Sequence, residues 1–208
     1  MIIPVQRPCL GPEELQAVER VFSSGWLGHG EVTLAFEQKL RMFLGARHAV
    51  AVSNGTAALH LALDALDLKP QDEVLVPTLT FVATPQAVLM AGATPVFCDV
   101  DPATFNLDVR DAASRVTPRT KAILPVHYGG TACDMDAVHQ LAARAHLHVV
   151  EDAAHAFGST YNGRKIGTLS ELTCFSFDPI KNITCGEGGA VVTHDPVLAE
   201  KVAARRVL

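Results

Sequence analysis

The sequence lacks the features that would place it in several common classes of protein. Charged residues make up only 19% of the chain and the formal net charge is −5, so no basic face for nucleic acid or an anionic membrane is indicated. No run reaches the roughly 18 apolar residues that a membrane-spanning helix requires. The amino terminus has no basic segment followed by an apolar core and a cleavage site, so we predict no secretory signal. We therefore expect a soluble, cytoplasmic protein without nucleic-acid or membrane partners.

Cysteine and histidine are present, but without the spacings that hold metals or disulfide frameworks. The five cysteines are odd in number and include no CxxC pair, which fits a reducing compartment better than a set of disulfides. The nine histidines include no HExxH motif and no Cys/His cluster. The sequence therefore predicts no metal site, and we interpret the cysteines as small buried apolar residues.

Short apolar runs alternate with helical patterns along a chain that is 49% hydrophobic and long enough to bury one sizeable core. The predicted strands are 48–53, 72–77, 94–100, 121–128, 147–152, 172–177 and 189–195. Helical patterns occupy 56–66, 134–146 and 196–208, and another begins at Pro12. Because short apolar strands separated by helices need crossover connections, we predict an α/β fold with a mostly parallel sheet flanked by helices.

The segment "SNGTAA" (53–58) is the first of several polar stretches that follow a predicted strand. Ligands of parallel sheets bind beyond the carboxyl ends of the strands. Gly55 would let the backbone approach a ligand, and the N–H groups of Thr56 and Ala57 would then point at a phosphate. An ordinary turn and helix cap is the alternative interpretation, and the local sequence on its own favours it.

Asp152 ends the apolar run "LHVVED" (147–152), where a carboxylate costs free energy unless a cation or a donor meets it. It is either a helix cap for the segment that starts at Ala153 or a fixed negative charge that holds a ligand nitrogen in its protonated form. His155, three residues later, is either a satisfied structural histidine or a second contact to the same ligand. Phe81 in "TLTFVAT" (78–84) is by default a core residue. Each of these residues, taken alone, favours the structural interpretation.

Lys181 lies in the loop "SFDPIKNITCGEGG" (176–189), where a surface lysine is the simplest interpretation. Together with the other polar residues it forms a set that matches pyridoxal 5′-phosphate. That cofactor needs backbone donors for its phosphate, a flat apolar partner for its ring, a carboxylate for its pyridine nitrogen and an amine that forms a Schiff base with its aldehyde. We therefore predict a pyridoxal-phosphate site in which Lys181 is the amine.

The order of these blocks along the chain resembles the DegT/DnrJ/EryC1/StrS family of sugar aminotransferases, and the resemblance covers nearly all 208 residues. The similar segments are "SNGTAALHLAL", "PTLTFVATPQAVLMAGATPVFCDVDPATFNLD", "PVHYGGTACDMDAV", "VVEDAAHAFGSTYNGRKIG" and "CFSFDPIKNITCGEGGAVVTHD". The motifs "VHYGG" and "KNITCGEGG" further resemble the branch of the family that aminates the C4 ketone of nucleotide-linked sugars. This branch includes the UDP-4-amino-4-deoxy-L-arabinose aminotransferase. The resemblance implies a fold-type I, pyridoxal-phosphate-dependent enzyme.

Position by position, the resemblance makes Lys181 the Schiff-base lysine and Asp152 the partner of the pyridine nitrogen. It places His155 near the ring hydroxyl of the cofactor and Phe81 against the face of the ring. It also makes Ser176, together with Thr56 and Ala57, a residue that holds the phosphate. The positions implied to contact the cofactor are Thr56, Ala57, Phe81, Asp152, His155, Ser176 and Lys181.

The family also implies partners and a larger architecture. Its members are homodimers that transfer an amino group, here expected from L-glutamate, to a nucleotide-linked ketosugar in the biosynthesis of cell-surface or secondary-metabolite sugars. Relatives continue beyond the length of this chain. We therefore expect residues 1–208 to hold the N-terminal segment and most of the cofactor-binding large domain, without the small C-terminal domain. Asp178 stands where many relatives have histidine.

Three alternatives to a sugar aminotransferase are open from the sequence. Some family members dehydrate sugars and have histidine in place of the lysine, and Lys181 argues against that activity. A truncated paralogue or fragment that only binds cofactor or a partner subunit is the non-catalytic alternative. A dinucleotide-binding α/β domain would need a GxGxxG turn after its first strand, which the chain lacks.

Overall fold

A seven-stranded sheet flanked by helices makes up most of the computed structural model, which describes residues 7–206. The helices are α1 (Pro12–Ser24), α2 (Glu31–Leu44), α3 (Gly55–Asp64), α4 (Ala83–Met90), α5 (Val109–Ser114), α6 (Met135–Ala145) and α7 (Pro196–Arg205). The strands are β1 (His48–Val52), β2 (Glu73–Pro77), β3 (Thr94–Cys98), β4 (Thr120–Ile123), β5 (His148–Asp152), β6 (Thr160–Tyr161), β7 (Arg164–Lys165), β8 (Leu172–Ser176) and β9 (Gly189–Thr193).

The strand order in the sheet is β1-β9-β8-β5-β4-β2-β3, and β6 and β7 form a separate two-stranded hairpin. Neighbours from β8 through β3 are parallel. Strand β9 is antiparallel to both of its neighbours, so β1 points in the same direction as β8. The predicted α/β fold with a mostly parallel sheet is therefore confirmed, and a single reversed strand is its exception.

The largest difference from the sequence-based strands concerns 121–128, of which the strand occupies only the first part. Strand β4 ends at Ile123, and Pro125 then offers no N–H to continue a ladder. Val126 makes one isolated bridge to Asp152. A short turn at Tyr128–Gly130 follows, whose two glycines have positive φ. The Pro125 carbonyl accepts the Asp152 N–H at 2.9 Å and the His127 N–H donates to the Asp152 carbonyl at 3.1 Å, so this segment stays paired with the end of β5.

Side chains on the two faces of the sheet form separate apolar clusters, as the alternation of a strand requires. On β8, Cys174 joins the cluster under α3, α4 and α7, whereas the next residue, Phe175, joins the cluster on the opposite face with Leu44 of α2. Helices α5 and α6 cover the remainder of that second face. The sheet is thus buried on both sides, which explains why its strands are continuous apolar runs.

Helix α1 begins as predicted, with Pro12 in its first turn, and Gly11 N–H donates to the Glu14 carboxylate. None of its residues is buried, and Leu15 is 71% exposed. The stability of the described fold therefore comes from the sheet and the helices on its faces.

Within residues 7–206, no helix has both the length and the apolar character to cross a bilayer.

We predict that Leu63→Ala in α3 lowers the free energy of unfolding by about 2–5 kcal/mol, because it empties a fully buried position. Leu15→Ala in α1 is the matched control, and it should change the free energy by no more than about 0.5 kcal/mol. Urea unfolding followed by circular dichroism measures both. Equal losses for the two variants would contradict this assignment of the core.

Candidate active site

A cleft of about 540 Å³ opens at the edge of the sheet where the parallel strands end. This volume lies within the range of small-molecule sites. Its walls come from the segments that follow β1, β2, β4, β5 and β8 and from the loop that leads into β9. The lining residues are Asn54, Gly55, Thr56, Leu59, Leu79, Thr80, Phe81, Ala83, Val126, Tyr128, Asp152, Ala154, His155, Ser176, Asp178, Ile180, Lys181 and Glu187.

The amino end of α3 forms one wall, where it touches the end of β8. A Cβ atom built on Gly55 would lie 2.8 Å from Cβ of Ser176, so only glycine allows this approach. A Cβ on Gly189 would lie 2.4 Å from the carbonyl oxygen of Asn54. These two close contacts place the Ser176 hydroxyl beside the first turn of a ten-residue helix. Such a helix end attracts anions through its free N–H groups and its dipole.

Asn54 caps this helix and engages the N–H of Ala57, one of the residues predicted to contact the phosphate. Its Oδ1 accepts a hydrogen bond from the Ala57 N–H at 2.8 Å. Ala57 is not among the residues that line the cleft, whereas Thr56 is. At Ala57 the structure therefore has the ordinary helix cap that the local sequence favoured. The predicted role of Ala57 in holding a phosphate stays a prediction.

Asp152 is 4% exposed, and its carboxylate faces the cleft floor at the end of β5. One oxygen, Oδ1, accepts the Ala154 N–H at 3.1 Å, and the other, Oδ2, accepts the hydroxyl of Thr84 at 2.7 Å. Oδ1 therefore closes a local turn with the residues that follow, but no helix begins there, so the interpretation of Asp152 as a helix cap is wrong. Each carboxylate oxygen keeps further lone-pair capacity for a donor within the cleft.

The other face of β5 fixes the strand that carries this carboxylate. Glu151 is fully buried and bonds His127 Nε2 at 2.7 Å and the Thr173 hydroxyl at 3.1 Å. His127 Nδ1 accepts the Cys133 N–H at 3.1 Å, so the ring proton lies on Nε2 and is donated to Glu151. The two hydrogen bonds of Glu151 connect β5 to Thr173 of β8 and to His127 in the segment after β4.

His155 lines the same cleft as Asp152 and Lys181, the two charged residues that the sequence singled out. Its Nδ1 accepts the Gly129 N–H at 3.3 Å, so in the neutral ring Nε2 carries the proton and is a donor. Partial burial, and then the positive charge of Lys181, lower the pKa of His155, and the Asp152 carboxylate partly opposes them.

Lys181 is held by a tight turn that Asp178 organises. The Asp178 carboxylate accepts the Ile180 N–H at 3.0 Å, and the Asp178 carbonyl accepts the Lys181 N–H at 3.0 Å. Within residues 7–206 the Lys181 ammonium group makes no ion pair and no hydrogen bond. Asp178 thus has a local structural use, since its side chain closes the turn that carries Lys181.

Phe81 lies at the mouth of the cleft and is 72% exposed. The interpretation of Phe81 as an ordinary core residue is therefore wrong, because its ring is open to a ligand or a partner. Of the seven predicted cofactor contacts, the cleft brings together every one except Ala57. The six are Thr56, Phe81, Asp152, His155, Ser176 and Lys181.

Sequence reasoning missed several residues of the site. Tyr128 lies in the cleft, and its ring meets His155 edge-on with the centroids 6.1 Å apart. Thr84 is completely buried below the floor and bonds Asp152. Their positions, just after β4 and in the helix after β2, are the only signal that could have found them, since both residue types are common elsewhere.

No group of three or more metal-ligating side chains comes together in the part of the chain that the structure describes. All five cysteines have free thiols. Cys98 and Cys174 are buried in apolar surroundings, and burial raises the pKa of the Cys98 thiol to about 12.

Comparison with protein families matches residues 8–208 to the DegT/DnrJ/EryC1/StrS aminotransferase family. The chain belongs to this family. It is 48% identical over 200 residues to the spore coat polysaccharide biosynthesis protein SpsC of Bacillus subtilis, covering 96% of this chain and 51% of SpsC. The family relationship inferred from the sequence is therefore confirmed.

Solved structures of family members have the same fold. The PLP form of the putative sugar aminotransferase Spr1654 from Streptococcus pneumoniae matches with a TM-score of 0.92 at 32% identity, covering 96% of this chain and 56% of that one. DesI in the presence of its TDP-sugar product matches with a TM-score of 0.89 at 40% identity, covering 96% and 50%. This member of the family thus has the fold of pyridoxal-phosphate-dependent sugar aminotransferases, which are enzymes. It spans about half the length of the relatives it matches.

We predict that Lys181→Gln raises the pKa of His155, because it removes a positive charge that disfavours the imidazolium. In the unmodified protein the lowered pKa means that the unfolded chain binds this proton more readily. His155 therefore reduces stability as the pH falls below its ordinary value of 6.5, and Lys181→Gln should lessen that loss. An NMR titration of the imidazole measures the pKa directly. Lys121→Gln makes the same charge change at an exposed site outside the cleft and should leave it unchanged.

Proposed function

We propose that this chain binds pyridoxal 5′-phosphate and moves an amino group from L-glutamate to a nucleotide-linked ketosugar, with C4 as the position aminated. The single observation that carries the proposal is that Lys181, Asp152 and His155 line one cleft. Residues 1–208 correspond in this proposal to the N-terminal segment and most of the cofactor-binding large domain.

The residues of the cleft suit this cofactor in shape and in chemistry. Gly55 and Ser176 approach so closely that they form a narrow pocket of N–H and hydroxyl groups at a helix end, which suits a phosphate. Asp152 lies on the floor as an acceptor for a protonated ring nitrogen, and the exposed Phe81 offers an apolar face. Lys181 is a primary amine with no ion-pair partner within residues 7–206.

Pyridoxal phosphate would supply an aldehyde that exchanges amines and a ring that holds the electron pair of a broken C–H bond. The protein residues do the rest. Lys181 Nζ would hold the cofactor covalently and, once released, would accept and return the proton at the carbon that bears the amino group. Asp152 would keep the ring nitrogen protonated through a charged hydrogen bond. The Nε2–H group of His155 would donate a hydrogen bond to the hydroxyl oxygen on the cofactor ring.

The substrate proposal rests on the relatives. SpsC is named for polysaccharide biosynthesis, and DesI was solved in the presence of its TDP-sugar product. Since this chain is 40% or more identical to both, we infer that it takes a nucleotide-linked sugar in a biosynthetic route to a cell-surface or secondary-metabolite sugar. We also propose that it acts as a homodimer in the cytoplasm, and its free thiols fit a reducing compartment.

The non-catalytic alternative remains a second candidate, because the chain spans about half the length of SpsC. A cofactor-binding chain that lacks turnover would elute from a sizing column with cofactor absorbance and yet fail to aminate any sugar. A panel of UDP- and dTDP-linked ketosugars with L-glutamate separates the two. The proposal expects an aminated product from at least one sugar and none without glutamate.

We predict that borohydride treatment of the protein with pyridoxal phosphate fixes the cofactor on Lys181, because among the lysines of residues 7–206 it is the one that lines the cleft with Asp152. Peptide mapping by mass spectrometry locates the adduct. Lys181→Ala should abolish it, whereas Lys165→Ala and Lys121→Ala should not. An adduct on Lys165 or Lys121 in the unaltered protein would overturn the assignment.

We predict that Asp152→Asn retains some cofactor but lowers the half-reaction rate with glutamate roughly 10- to 150-fold. This range corresponds to the loss of a hydrogen bond to a charged group, about 1.5–3 kcal/mol. A neutral amide cannot keep the ring nitrogen protonated. Stopped-flow absorbance of the bound cofactor measures the rate, and a rate near that of the unaltered protein is the opposing result.

A further inference from the structure

Thr84 is a buried hydroxyl in contact with the carboxylate of the proposed site, yet it does not line the cleft. It has no solvent exposure and lies at the second position of α4. Its Oγ1 is 2.7 Å from Asp152 Oδ2 and 2.7 Å from Thr80 Oγ1. Thr80 does line the cleft. Three oxygen atoms therefore run in series from the cleft wall to the buried carboxylate.

The direction of these hydrogen bonds follows from the chemistry of their ends. An ionised carboxylate only accepts, so Thr84 donates its single hydroxyl proton to Asp152. Thr84 then has only acceptor capacity left, and Thr80 must donate to it. This ordering leaves the Thr80 oxygen as an acceptor toward the cleft. One carboxylate thus fixes the orientation of two hydroxyl groups.

The geometry separates this contact from an ordinary helix threonine. A threonine inside a helix commonly bonds the carbonyl one turn earlier, which satisfies the hydroxyl locally. Thr84 instead bonds a residue 68 positions away on another strand. With Ala154 N–H on the other oxygen, it fixes both the position and the rotation of the carboxylate. Removing one such donor leaves the carboxylate with fewer constraints and an unsatisfied lone pair.

We propose that Thr84 is a positioning residue, which holds the Asp152 carboxylate in the orientation that meets the ring nitrogen of the cofactor. This inference rests on the function proposed above and adds to it a residue that acts only through Asp152. Because a hydrogen bond depends steeply on angle, a carboxylate free to rotate spends part of its time misaligned with the ring nitrogen. Loss of Thr84's hydroxyl therefore weakens cofactor binding even when the fold is intact.

The test measures the equilibrium affinity for pyridoxamine 5′-phosphate, which lacks the aldehyde and so reports the non-covalent contacts without reaction at Lys181. Thr84→Val has nearly the same shape as threonine and lacks the hydroxyl, and we expect it to bind about 10- to 100-fold more weakly. Thr84→Ser keeps the hydroxyl and should stay within about threefold of the unaltered protein. Thr120→Val is the matched control, since Thr120 is also buried and bonds the carboxylate of Glu73 at the opposite end of the sheet.

A double-mutant cycle with Asp152→Ala distinguishes positioning from a general effect on packing. If Thr84 acts through Asp152, Thr84→Val should cost less than about threefold in affinity when the carboxylate is already absent. An equal loss in both backgrounds would show a merely structural role and overturn the inference. Thermal unfolding of each variant is measured alongside. If Thr84→Val does not fold, Thr84→Ala against Thr84→Ser makes the same comparison.

The outcomes separate the two proposals. Binding that depends on Asp152 but is unchanged by removal of the Thr84 hydroxyl overturns the positioning role alone and leaves the proposed function standing. No binding of either cofactor form by the unaltered protein overturns the proposed function, and the positioning role with it. A selective loss in Thr84→Val, with serine and Thr120→Val close to the unaltered protein, supports the positioning role.

Discussion

The shared direction of six of the seven main strands is the constraint on which the candidate site depends. Because these strands point the same way, the residues that follow them meet at one edge of the sheet, although they are far apart in sequence. Thr56, Asp152 and Lys181 come together for this reason. The reversed strand β9 adds to the same edge, since the loop that leads into it carries Lys181 and returns past the amino end of α3.

Two backbone contacts refine this arrangement. Glycine at positions 55 and 189 allows β8, β9 and the start of α3 to approach more closely than any side chain would permit. Below the cleft, the buried pair of His127 and Glu151 fixes the strand that carries Asp152. The carboxylate is thus held by its strand, by Ala154 N–H and by the Thr84 hydroxyl before any ligand arrives. Such preorganisation lowers the cost of ordering the site when a cofactor binds.

The sequence was sufficient for those parts of the molecule that depend on local pattern. Apolar runs of about five residues predicted the strands, and the polar residue after each run predicted most of the cleft. The sequence did not predict features that depend on contacts between residues far apart in the chain or on details of the local backbone. The end of β4 depends on Pro125, Ala57 N–H is used by Asn54 rather than left for a ligand, and Thr84 reaches Asp152 only because α4 lies against the strand edge. Phe81 looked like a core residue, because nothing in its neighbourhood of the sequence shows that the cleft opens beside it.

The central claim is that the amino end of α3, Asp152 and Lys181 all contact one molecule of pyridoxal 5′-phosphate at the same time. A crystal structure of the protein with pyridoxal phosphate tests this most directly. The account predicts the phosphate beside Thr56 and Ser176, the ring nitrogen about 2.7–3.2 Å from the Asp152 carboxylate, and continuous density to Lys181 Nζ. Cofactor density elsewhere, or a ring nitrogen turned away from Asp152, would contradict it.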